Sequence, residues 1–257
     1  MVYGFYCTIM DKINQGQCNM KLMMKSTISI CMVLLSISSA NEALIESIKK
    51  GDAVAVNQMI ASGTDIKKKV NGATPLMWAS KGGNGEIVKA LIAKGPDVNE
   101  QDAARYSALM YAVSQGHHEV VNVLLENKAN PNLKTKNGIF PLKTAIDHND
   151  RKMAELLLSH GGDVNMITPC GASVMASAVI GKHTDIVSLL LEYGINMNKA
   201  DKEGETPLML AADSGNNEIV SLLLSKGANK SLKDNEGKTA KEYAELAGHP
   251  EVAKLLQ

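Results

Sequence analysis

From residue 41 onward, apolar residues gather in short helical-period clusters separated by polar stretches rich in Gly, Asn and Asp. Between Thr206 and Gly237 the chain reads TPLMLAADSGNNEIVSLLLSKGANKSLKDNEG. Leu208 and Ala211 sit three apart, and Ile219, Val220, Leu223 and Leu224 form an i, i+1, i+4, i+5 stripe. That spacing predicts a short helix, a Gly turn, a second amphipathic helix, and then a Gly-Ala-Asn loop leading to a tight turn. The same skeleton returns every 33 residues. Its alanine falls at Ala79, Ala112, Ala145, Ala178, Ala211 and Ala244, and its second-helix leucine at Leu91, Leu124, Leu157, Leu190, Leu223 and Leu256. The apolar anchor of the first helix falls at Leu76, Leu109, Leu142, Met175 and Leu208, and Lys241 breaks the series. Three columns with one spacing and no insertion identify a repeat protein.

Elementary chemistry accounts for each column. Pro75, Pro141 and Pro207 suit a first helical turn, where the missing N–H costs nothing. Thr74 and Thr206 precede them as N-cap hydroxyls. A recurring alanine lets neighbouring helices approach closely. Gly95, Gly161, Gly194 and Gly227 suit left-handed helix exits, and Gly72, Gly138, Gly171, Gly204 and Gly237 close the turns between units. The first unit, 41–70, is a worn copy with Glu42, Glu46, Lys49 and Lys50 on its first helix, and the last carries Lys241, Glu242 and Lys254. Both read as caps with one solvated side.

Thr-Pro-Leu-x-x-Ala, then Gly-x-x-Glu-Ile-Val-x-x-Leu-Leu, then Gly-Ala-x-x-Asn resembles the ankyrin repeat over residues 41–257, in about seven units. The resemblance implies an all-α solenoid of helix-turn-helix units joined by β-hairpin-like turns. It also implies a non-catalytic protein–protein interaction module whose partner docks on the turn tips and first helices. The sequence departs from the family pattern in several places. Where ankyrin repeats carry His after Thr-Pro-Leu, this chain has Met77, Met110, Lys143, Ala176 and Met209, so that hydrogen-bond network is absent or remade. Phe140 replaces a capping hydroxyl, Asn149-Asp150-Arg151-Lys152 replaces Gly-His-x-Glu, and Ala172-Ser173-Val174-Met175 lacks the proline. The junction of these two units is expected to be the weakest in the stack.

Lys+Arg and Asp+Glu both number 27, leaving no basic excess of the kind a nucleic-acid partner requires. Aromatics at 4% also argue against base-stacking platforms. Residues 1–40 form a separate segment. Lys21 and Lys25 lie at the start of an apolar run from Ser26 to Ile37, and Ser38-Ser39-Ala40 supplies small residues at an exit. This is the layout of a cleavable secretory signal peptide, too short to span a bilayer. The stretch from Met1 to Asn19 lengthens it, so a start at Met20, Met23 or Met24 is expected. A bacterial-type, periplasmic or secreted, monomeric protein follows, with no membrane span after cleavage. Of the 4 cysteines only Cys170 then remains, so no internal disulfide forms. Pro169-Cys170-Gly171 places that thiol near a turn tip.

No Gly-x-Ser-x-Gly, P-loop or dinucleotide fingerprint is present. His117, His183 and His249 share one repeat column, which marks them as scaffold, and the histidines have no compact ligand spacing. The methionines read as core filler. No enzyme, cofactor or metal is expected. An envelope metal-handling or redox protein using Cys170, His and Met is the alternative of another class, and a secreted effector binding a host protein is the alternative destination.

Partner contacts belong at positions the scaffold leaves open. Trp78 and Tyr111 share a column continued by Thr144, Ser177 and Leu210, an aromatic pair suited to an interface hot spot. At the tips the candidates are Arg105, Tyr106, Lys136, Asn137, Ile139, Lys202, Glu203 and Asn235, with Ile139 and Phe140 together forming an apolar tip.

Overall fold

The structure, a computed structural model, describes residues 40–168 and 171–257. Residues 1–39, which hold nearly all of the expected signal segment, and Pro169 and Cys170 lie outside the described residues. Helices run in pairs along the chain: residues 40–50 (α1) with Ala53–Ala61 (α2), Pro75–Gly82 (α3) with Gly85–Ile92 (α4), and Ala108–Ser114 (α5) with His118–Glu126 (α6). Pro141–Asp147 (α7) pairs with Arg151–Ser159 (α8), Val174–Ile180 (α9) with Thr184–Glu192 (α10), Pro207–Asp213 (α11) with Asn217–Ser225 (α12), and Ala240–Leu246 (α13) with Pro250–Leu255 (α14). The first helices from α3 to α13 pack side by side as one layer, and the second helices from α2 to α14 form another. The fold is thus the all-helical solenoid that the 33-residue period implies. Among the described residues the turns between units contain isolated bridges, Val70 with Ala73, Gln101 with Ser107 and Ile167 with Ser173, and no extended strand.

Local chemistry sets the helix boundaries. Thr74 Oγ1 accepts from Met77 N (3.2 Å) and Thr206 Oγ1 from Met209 N (3.4 Å). The missing histidine network is remade with sulfur. Thr74 N donates to Met77 Sδ (3.4 Å) and Thr206 N to Met209 Sδ (3.3 Å), closing a capping box through a weak acceptor. Phe140 makes no cap hydrogen bond. One helix later, Asp150 Oδ1 accepts from Met153 N (2.9 Å) and caps α8, so the divergent Asn-Asp-Arg-Lys sequence restores a cap. The pairing of Ile139 with Phe140 as an apolar tip is corrected by burial. Phe140 is 0% exposed, one of the largest fully buried side chains, and only Ile139 remains outside at 38%. An aromatic side chain at the cap position points into the core because no hydroxyl duty holds it at the surface.

The alanine column from Ala79 to Ala244 and the leucine column from Leu91 to Leu256 are buried throughout. Each second helix after α2 buries an adjacent pair such as Ile87-Val88, Val120-Val121 or Ile219-Val220 together with its leucine. The first unit buries only Val56 from α2, and the last leaves Leu246 73% exposed, as end units facing water should.

Polar ladders reinforce the stack. Asn99 Nδ2 donates to Lys128 O (3.1 Å), and its Oδ1 accepts from Asn130 N (2.7 Å). Asn132 repeats this with Gly161 O (2.9 Å) and Asp163 N (2.8 Å), and Asn198 Oδ1 accepts from Asn229 N (2.9 Å). The asparagine of Gly-Ala-x-x-Asn is therefore a clamp between consecutive units.

Candidate functional site

Scaffold columns account for most buried side chains, and what they leave open converges between α3, α5 and two turn tips. Trp78 on α3 is half-buried, and its Nε1–H donates to Val70 O (3.3 Å). Lys49 Nζ lies 4.5 Å from the Trp78 ring centroid. Lys81, one turn beyond Trp78, stands between two rings, 5.7 Å from Trp78 and 5.8 Å from Tyr111. Such cation–π contacts hold an ammonium over the ring face without neutralising it.

Tyr111 on α5 donates its hydroxyl to Asp102 Oδ2 (2.7 Å), and its ring meets Tyr106 at 5.3 Å between centroids, tilted by 36°. Burial pushes the Tyr111 phenol up to about 12, helped by the hydrogen bond to the Asp102 carboxylate and by its charge. Asp102 Oδ1 accepts from Ala104 N (2.9 Å) and Tyr106 N (2.8 Å), so both carboxylate oxygens are committed within the tip. Between these groups lies a groove of about 240 Å³ with Ala73, Met77 and Trp78 on one side, Ala104 and Tyr111 on the other, and Lys81 beside both rings. Of the aromatic and tip candidates here, Trp78 and Tyr111 line this one groove, and Tyr106 joins it through its ring contact with Tyr111.

Arg105 is exposed at the same tip with φ +63°, in a column that is glycine at Gly72, Gly138, Gly171, Gly204 and Gly237. Lys136 and Asn137 are exposed on the next tip, tied to the first by Lys136 N donating to Ala104 O (3.0 Å). Ile139 completes that tip. Lys202 and Glu203 are exposed two tips further along. Asn235 is spent on the scaffold, with Nδ2 donating to Lys202 O (2.9 Å) and N to Glu203 O (3.1 Å). Gly204 permits this approach, because a Cβ there would lie 2.7 Å from Asn235 N. The ten candidates therefore fall into one cluster around the groove with its neighbouring tip, and a separate pair of tips carrying Lys202, Glu203 and Asn235.

Sequence reasoning missed Lys49, Lys81 and Asp102. Lys81 lies three residues after Trp78 on one helix face, and Asp102 lies nine before Tyr111. That spacing recurs with Asp234 and Tyr243, a Tyr in the Trp78 column that was also overlooked. Tyr243 donates to Asp234 Oδ2 (2.6 Å) and also approaches Glu205 Oε1 (2.8 Å). Burial and these two carboxylates raise its phenol far above the ordinary value, and the hydrogen bond from Tyr243 holds Asp234 below the usual carboxylate range. His117 sits at a helix entry with Nε2 3.1 Å from Lys81 O, so Nε2 carries the hydrogen. His183 and His249 occupy the equivalent entries, as a scaffold column requires. Among the described residues no three His, Cys, Asp or Glu side chains converge as metal ligands, and no helix is long and apolar enough to cross a membrane.

A family model described as "Ankyrin repeats (3 copies)" matches the chain in overlapping windows, residues 44–135, 80–168, 109–201, 142–234 and 175–257. Among solved structures, the human ASB11 ankyrin repeat domain is 27% identical with a TM-score of 0.70, covering 83% of this chain and 97% of that one. The ankyrin repeat domain of Bcl-3, described as a unique member of the IkappaB protein family, is 24% identical with a TM-score of 0.77, covering 83% and 96%. The latter likeness shows the fold alone. No curated protein matches the chain.

Proposed function

The chain belongs to the ankyrin-repeat family, and from that premise we propose that it is an exported scaffold that binds a protein partner through the tip and first-helix face around Trp78 and Tyr111. Ankyrin repeats indicate a protein–protein interaction scaffold. One observation carries the choice of face. Arg105 occupies a left-handed position that glycine fills in the other units, at a cost of about 1–2 kcal/mol, and it stands beside the aromatic groove. Lys128 and Lys182 share that backbone strain, and what sets Arg105 apart is its place at a tip next to two half-buried aromatics suited to an interface. The reading of export rests on Lys21, Lys25, the apolar run and Ser38-Ser39-Ala40.

The docking face is tested by placing a photo-crosslinking residue at Arg105, at Lys136 or, on the second-helix layer, at exposed Lys152. Adducts with a partner from Arg105 and Lys136 but not from Lys152 support the reading. Adducts only from Lys152 contradict it.

A further inference from the structure

Around the groove between Trp78 and Tyr111 the cations outnumber the one carboxylate of its lining, Asp102. Lys49 and Lys81 hold their ammonium groups over aromatic faces, and Arg105 follows Ala104 of the groove wall. None of the three forms an ion pair among the described residues, whereas nearby Lys69 pairs with Glu100 at 2.9 Å and Lys89 with Glu119 at 3.0 Å. The groove's own carboxylate, Asp102, has both oxygens bonded to Ala104 N, Tyr106 N and the Tyr111 hydroxyl. Those hydrogen bonds fix its place in the groove lining without cancelling its charge, so Lys49, Lys81 and Arg105 stand as three cations against one carboxylate. The floor is apolar, made by Ala73, Met77 and the two ring faces.

We propose that this groove takes a linear acidic peptide segment, with a carboxylate beside Lys81 and an adjacent apolar side chain on the Trp78–Tyr111 floor. The inference rests on the protein-binding reading above and names the chemistry of the partner. Charge complementarity selects the occupant. Three cations outside any ion pair, set against the single carboxylate of Asp102 around a mainly apolar floor, disfavour a basic segment and favour an acidic one. A nucleic acid is disfavoured because the chain as a whole carries no basic excess. Lys81 is the central group because it alone reaches both rings, so an anion bound there lies over the middle of the floor. Arg105, exposed at the tip next to Ala104, supplies a second, rim cation with a forked geometry suited to carboxylate.

The test is selection of random displayed dodecapeptides on the full chain, followed by affinity measurement of the enriched peptides as synthetic probes. The proposal expects enrichment of Asp or Glu next to an apolar residue. It also expects Glu→Gln within the peptide, or Lys81→Gln in the protein, to weaken binding about tenfold or more, and Lys81→Arg to restore it. Lys81 is exposed, and unchanged circular dichroism of Lys81→Gln separates lost contact from lost fold. Enriched peptides that are neutral or basic, or that bind Lys81→Gln unchanged, overturn the proposal while leaving the array a protein binder. So does an oligonucleotide that competes for the groove, or the absence of any enriched peptide. The wider reading fails separately, if the crosslinks from Arg105 and Lys136 are absent.

Discussion

Arg105 and Lys128 are two residues that the repeat pattern would have written as glycine. Arg105 has φ +63° at a turn tip, and Lys128 has φ +66° at the exit of α6, where Gly95, Gly161, Gly194 and Gly227 stand in other units. Replacing either by Gly relieves the left-handed strain and gives back part of the gain through a freer unfolded chain. Each substitution is expected to stabilise by about 0.5–1 kcal/mol in denaturant titration. They part company in function: Lys128→Gly leaves partner binding intact, whereas Arg105→Gly weakens it. Tyr111 gives a pH prediction. Its phenol is raised from 10.0 to about 12, so below pH 10 both folded and unfolded forms are protonated and the contribution is complete. Between about 10 and about 12 the folded state holds a proton the unfolded state has lost, and stability falls as pH rises. Denaturation midpoints of Tyr111→Phe should fall less steeply across that window. At this scale the sequence was only partly legible. Trp78 and Tyr111 were readable from one shared column, but Lys81 and Asp102 act through a turn of helix and a folded tip, which a 33-residue alignment does not bring together. Phe140 misled because a cap position ordinarily faces water, and burial reversed it.

At the scale of elements, the close approach of first helices rests on the small residue at Ala79, Ala112, Ala145, Ala178, Ala211 and Ala244, all essentially unexposed. Ala178→Leu inserts a branched side chain between α9 and its neighbours and is expected to cost about 1–3 kcal/mol by thermal or chemical unfolding. Leu124→Ala, in the second-helix column, is expected to cost about 2–5 kcal/mol. The helix boundaries were legible because proline, threonine and glycine act locally. The sulfur capping boxes of Met77 and Met209 were not, since methionine at that position reads as core filler until its Sδ is seen opposite the Thr74 and Thr206 amides. The unit beginning at Phe140 lacks a side-chain cap on α7, and the next lacks the proline, so hydrogen exchange is expected to be fastest across residues 139–204. Uniform protection along all units contradicts that expectation.

Over the whole molecule, a solenoid whose units contact their neighbours distributes stability along its length and leaves one continuous face for binding. The fold was legible from the sequence because each unit repeats the same burial pattern, so every column was read several times. The site was less legible because it lies where the columns differ, and a single chain shows only one instance of each difference. Export is a claim about residues 1–40. It predicts a mature chain beginning near Asn41 in the periplasm or medium, read by intact mass after fractionation, and a soluble cytoplasmic chain that keeps those residues contradicts it. The central claim is that this array binds a protein through the face around the Trp78–Tyr111 groove. Its most direct test is partner capture by the full chain compared with Trp78→Ala combined with Tyr111→Ala, with helical content followed by circular dichroism. The account predicts that the double variant keeps its helices and loses the partner. Undiminished capture by a folded double variant would contradict it.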